Sequence, residues 1–66
     1  MKIRISRDKI NVFRARKKMS VSALAETYGV SRARMNVILN QREVSAVSAG
    51  RLADALGVDV TEIIEN

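Results

Sequence analysis

The chain has no cysteine, histidine, proline or tryptophan, and only one phenylalanine and one tyrosine. Without cysteine there is no disulfide framework and no thiolate metal site, and without histidine the commonest metal ligand and general base are missing. Serine, lysine and carboxylates remain, but none stands in an arrangement of nucleophile and base. A helical chain of 66 residues also leaves little room for an enclosed pocket. The expectation is a protein that is not an enzyme, with no cofactor and no metal. The scarcity of aromatics removes the stacking platform on which single-stranded RNA is held. No run of about 18 apolar residues is present to span a membrane, and Met1-Lys-Ile-Arg-Ile5 is too charged and short for a signal peptide. A cytoplasmic location with no membrane partner is therefore expected. No Gly/Ser linker, low-complexity segment or internal repeat divides the chain, so one small domain with one modest core is expected.

Charge is abundant and unevenly placed. Residues 1–42 hold eleven Lys and Arg against Asp8 and Glu26, a balance of +9, whereas residues 43–66 hold Arg51 against five acids, a balance of −4. A polyanion as partner of the first part is the natural inference, and an ordinary solvated helix face is the plain alternative.

Met1, Ile3 and Ile5 alternate with Lys2 and Arg4, the pattern of a short strand or extended arm. Such a segment can pair with another subunit, lie on its own domain, or track a DNA groove; a short edge strand or ordered arm over residues 1–6 is favoured. A first helix is expected from Arg7 or Asp8 to Lys18, capped by Ser6 and with Asp8 in its first turn, where the helix dipole favours an anion. The cations Arg14, Arg16, Lys17 and Lys18 crowd its C-terminal end, where the dipole accounts for part of the cluster. A second helix is expected over Val21–Tyr28 and a third from Ser31 or Arg32 to Asn40, followed by a loop around Gln41–Val44. Ser45 opens a fourth helix ended by Gly57. Gly50 inside it indicates close packing or a weak helix. Asp59 and Glu62 form a capping-box pattern that opens a short fifth helix through Ile63 and Ile64. The expected core comprises Ile10, Phe13, Met19, Leu24, Ala25, Val30, Met35, Ile38, Leu52, Ala53, Leu56, Val58, Val60 and Ile63, with Tyr28 partly buried.

The stretch from Ser20 to Leu39 carries the most information. Ser20 and Ser31 stand where hydroxyls cap two short helices, Gly29 can take the positive φ of a tight turn, and Ala25 is small where the helices must approach. Two such helices present the second to a DNA major groove. With Phe13-Arg14, Met19-Ser20, Leu24-Ala25, Gly29-Val30-Ser31, Met35, Ile38, Asn40, Arg51-Leu-Ala-Asp-Ala-Leu-Gly-Val58 and Glu62-Ile-Ile64 in order, residues 9–65 resemble the phage repressor and Cro-type helix-turn-helix family. No single motif is specific; the ordered series is.

The resemblance implies an all-α, compact five-helix domain over residues 7–66 whose third helix lies in the major groove while the second crosses the backbone. It implies base reading by Arg32, Ala33, Asn36 and Val37. Chemically, Arg32 can pair with guanine, Asn36 with adenine, and Ala33 or Val37 can touch a thymine methyl. Backbone contacts are implied at Ser20, Ser22, Ser31, Arg34, Asn40, Gln41 and Arg42. Three positions depart from the family pattern. Val21 stands where relatives often carry a phosphate-binding glutamine. Leu39 stands where many carry a glutamate paired with the first-helix arginine, which turns Arg14 toward phosphate or solvent. Gln41 replaces the glycine that usually closes the third helix.

The function implied is a transcriptional regulator of bacterial or phage type, nucleoid-associated, that binds duplex DNA and represses by occupying an operator. Because one module contacts few base pairs, a homodimer is expected on a near-palindromic site with half-sites about 34–36 Å apart. Its contact is expected on the C-terminal side, at Val58, Val60, Ile63 and Ile64, or through the N-terminal segment. A second reading is an antitoxin-like or anti-repressor module with a regulatory protein as partner, favoured by Val21 and by the acidic second part.

Overall fold

A computed structural model describes residues 1–65. Four α-helices, α1 (Arg7–Arg16), α2 (Val21–Tyr28), α3 (Arg32–Asn40) and α4 (Ala46–Leu56), surround one core. Two short strands, β1 (Lys2–Arg4) and β2 (Glu43–Ser45), pair beside them. Each helix starts on a serine in extended conformation whose hydroxyl accepts a backbone N–H three residues on: Ser6 from Lys9, Ser20 from Ala23, Ser31 from Arg34 and Ser45 from Ser48. These bonds satisfy donors that a helix start leaves orphaned.

The helix ends are equally local. Gly29 (φ 100°) and Gly57 (φ 72°) take the left-handed conformation after α2 and α4, and Val30 and Val58 donate back to Ala25 and Ala53. After α1 the same reversal falls on Lys18 (φ 55°), with Lys18 N–H on the Ala15 carbonyl and Met19 N–H on that of Arg14. The helix therefore stops at Arg16 rather than running to Lys18. The reversal carries Met19 back to pack on the core.

A fifth α-helix is absent among the described residues. The segment capped by Asp59 makes one 3₁₀ turn, Val60–Glu62, because Ile63 and Ile64 are taken by other contacts. Ile63 is fully buried, and Ile64 bridges Ile5 in antiparallel fashion. Three residues accommodate only the i→i+3 bonds seen, Glu62 N–H to Asp59 and Ile63 N–H to Val60. The capping box itself is present, with Glu62 accepting from Asp59 N–H and Asp59 accepting from Thr61 N–H and the Thr61 hydroxyl.

The fold is thus not purely helical. β1 runs antiparallel to β2 in the register Lys2–Ser45, Ile3–Val44 and Arg4–Glu43. On its other side, Ser6 N–H donates to the Ile63 carbonyl at 2.7 Å and Glu65 N–H to that of Arg4 at 2.9 Å. The N-terminal segment therefore has backbone partners on both sides, and Ile5 is buried. The segment after α3, expected as a loop, is extended because Gln41 exits the helix at φ −79°, ψ 139°. A glycine in left-handed conformation would have turned the chain elsewhere.

The core contains Ile10, Leu24, Ala25, Met35, Ile38, Leu52, Ala53, Leu56 and Ile63 as expected, and also Ile5, Tyr28, Leu39, Val44, Ala49 and Ala55. Phe13, Met19, Val30, Val58 and Val60 are only partly buried against it. Gly50 meets nothing within 4 Å, so it reflects a weak helix position rather than close packing.

Candidate nucleic-acid interface

Helix α3 is seated from below and bare above. Met35, Ile38 and Leu39 are buried, whereas Arg32, Ala33, Asn36 and Val37 are all exposed. In a helix, residues four apart lie above one another, so Arg32 over Asn36 and Ala33 over Val37 make one continuous face. Val37 is 47% exposed despite being apolar, so this face carries an uncovered apolar side chain. The turn at Gly29 and the Ser31 cap set where this face begins, and the packing of α2 on α3, with Leu24, Ala25, Met35 and Ile38 buried in the common core, holds its direction.

The candidate backbone contacts frame that face. Ser20, Ser22, Ser31, Arg34, Asn40, Gln41 and Arg42 are exposed. The oxygens of Ser20 and Ser31 accept cap bonds, which leaves each hydroxyl hydrogen free to donate to a phosphate. Asn40 accepts from the guanidinium of Arg7 through its amide oxygen, so its NH₂ group remains as a donor. Arg42 is pinned through its backbone, since its carbonyl accepts from Ile5 N–H at 3.1 Å, and its side chain is exposed. Arg7 escapes a local reading of the sequence because the strand pairing, not its own helix, brings it to the end of α3.

Arg14 does not face phosphate or solvent as the resemblance implied. It is part-buried and donates to the Met19 carbonyl at 2.9 Å and to Asn11 at 3.2 Å. With leucine at position 39, it lacks the carboxylate that relatives supply, and its Nε is buried without a partner. Lys9 and Arg51 are likewise bonded to backbone carbonyls. Lys9 reaches the Ile64 carbonyl, and Lys17 lies over Gly57 at the end of α4. Arg51 donates to the Tyr28 carbonyl at 2.9 Å while its guanidinium stacks 4.3 Å from the Tyr28 ring centroid. These bonds go to carbonyls and amides, which leave the positive charge intact and available to a polyanion.

Among the described residues no group of three or more acidic, histidine or cysteine side chains can hold a metal ion, and no helix is long and apolar enough to cross a membrane. A bare, polar helix seated on a second helix and flanked by cations defines a helix-turn-helix DNA-binding domain. A family model described as the Cro/C1-type HTH DNA-binding domain matches residues 9–66, and the chain belongs to that family. Comparison with curated proteins and with solved structures found no match.

Proposed function

We propose that the chain is a sequence-specific transcriptional regulator that inserts α3 into the major groove of duplex DNA and represses by occupying a near-palindromic operator as a homodimer. The observation that carries this reading is the exposure of Arg32, Ala33, Asn36 and Val37 on one face of a helix whose opposite face is buried. Arg32 is the guanine donor and Asn36 the adenine partner, with Ala33 and Val37 against thymine methyl groups. Ser20, Ser22, Ser31, Arg34, Asn40, Gln41 and Arg42 hold the strands on either side.

A second copy has a surface to meet. Val47 is 73% exposed and borders a shallow groove with Gly50, Val58 and Val60. This supports a contact on the C-terminal side, built from Val47, Val58 and Val60 and without the buried Ile63. Selection of bound duplexes from a random library at physiological salt tests the whole reading. Enrichment of a repeated half-site is the expected result; recovery of no preferred sequence by a folded, salt-sensitive binder would refute sequence-specific regulation.

A further inference from the structure

Between α3, β2 and α4 lies an open cleft of about 360 Å³, bordered by Lys2, Arg34, Gln41, Ser45, Ser48 and Arg51. Three cations line it and no carboxylate does. They arrive from three separate parts of the chain, so a local charge run does not explain their meeting. We propose that this cleft seats one phosphate of the DNA backbone, with Lys2 and Arg51 as phosphate ligands beside Arg34. The proposal rests on the DNA-binding reading and adds residues that reading does not contain.

The geometry favours an anion in three ways. Lys2 stands opposite Ser45 in the β1–β2 ladder, and cross-strand partners project from the same face of a ribbon. The strand pairing thus delivers the ammonium to the cleft. Arg51 is held in advance: its bond to the Tyr28 carbonyl and its stacking on the Tyr28 ring use one N–H and one face, and a guanidinium has five donors. Little side-chain entropy is left to lose on binding. Ser45 accepts from Ser48 N–H at 3.1 Å, which frees its hydroxyl hydrogen to donate.

Position selects the source of the phosphate. Arg34 and Gln41 border the cleft and also flank the bare face of α3. A helix lying in a major groove has a phosphodiester strand along each flank, so an anion in this cleft is placed where such a strand passes. A free phosphorylated small molecule has the same chemistry, and the test separates the two.

The test compares the whole chain with Lys2→Ala, whose exposed side chain can be removed without touching the core, and with Lys2→Arg. Binding to a fluorescein-labelled duplex of arbitrary sequence and to the selected site is measured between 50 and 200 mM salt. Each phosphate contact contributes about 0.9 to the slope of log affinity against log salt. Across that range the wild type should therefore lose about three- to fourfold more affinity than Lys2→Ala, equally on both duplexes, and Lys2→Arg should restore the slope. An unchanged slope in Lys2→Ala with wild-type binding intact overturns the seat. A wild type with no salt-dependent association with duplex removes the DNA-binding reading itself. Titration with inorganic pyrophosphate, followed by the amide shifts of Ser45 and Ser48, is the second arm. Saturable binding there, with the duplex slope unaffected by Lys2→Ala, assigns the cleft to a free phosphate ligand and overturns the backbone assignment.

Discussion

At Lys18 the backbone takes φ 55°, whereas the matching reversals after α2 and α4 fall on glycines. A side chain in this conformation costs about 1–2 kcal/mol, partly offset by the greater chain entropy that glycine loses on folding. Replacing Lys18 by glycine is expected to raise stability by about 0.5–1 kcal/mol in urea unfolding. On the same balance Gly57→Ala should lower it by about 0.5–1 kcal/mol, since the added methyl meets only the flexible end of the Lys17 side chain, which can move aside. The side chains of α3 make a different kind of prediction. Arg32→Ala should cost about 1–3 kcal/mol on the selected site and relax preference at one base position, read by repeating the selection. Arg42→Ala should weaken binding to every duplex and lower the salt slope by about one unit. A changed base preference with the slope intact would instead make Arg42 a reader.

At the scale of the elements, the last turn has a stability that responds to acid. The Thr61 hydroxyl, and then the Thr61 N–H, hold the Asp59 carboxyl below its usual range. A depressed folded value stabilises the native state above the unfolded pKa and ceases to do so as pH falls through the folded one. The thermal midpoint of the wild type should therefore exceed that of Asp59→Asn by a constant margin above about pH 5, and the margin should shrink below about pH 4. A pH-independent margin would show that the carboxylate charge has no part in the cap. This capping box was legible in the sequence, as were the bounds of α2, α3 and α4, since serine caps and left-handed glycines act within a turn of where they stand. Strand β2 was not legible. Glu43-Val-Ser45 has too few residues to show a period, and its partner lies before α1. The same distance kept Lys2 and Arg51 from being placed beside Arg34, and Arg7 from being placed at the end of α3. The bare face of α3 was visible because its spacing is local, whereas Arg14 was misplaced because its acceptor, the Met19 carbonyl, exists only once Lys18 has reversed the chain.

On the scale of the whole molecule, stability and assembly can be moved in opposite directions. Gly50 lies inside α4 with open space where a methyl would go, yet it borders the groove beside Val47. Gly50→Ala should stabilise the isolated domain by about 0.5–1 kcal/mol. If the groove receives a second copy, the same methyl should weaken binding to a duplex with two half-sites more than to one with a single half-site. Equal affinities on both duplexes would place the dimer contact elsewhere.

The ladder that holds residues 2–6 between β2 and residues 63–65 also bears on the order in which the chain can fold. Ile5 leaves the ribosome early and finds its bridge to Ile64 only after all four helices have been made. Closing contacts over nearly the full sequence slows folding relative to a bundle held by neighbours alone. Residues 4–6 wait on residues 63–65, so a product interrupted before Ile63 keeps β1 against β2 but loses the backbone partners on the other side of the N-terminal segment. If the chain is the operator-binding repressor proposed above, a product interrupted there should be less stable than the whole chain and should occupy the operator less, so activity follows completion of this ladder.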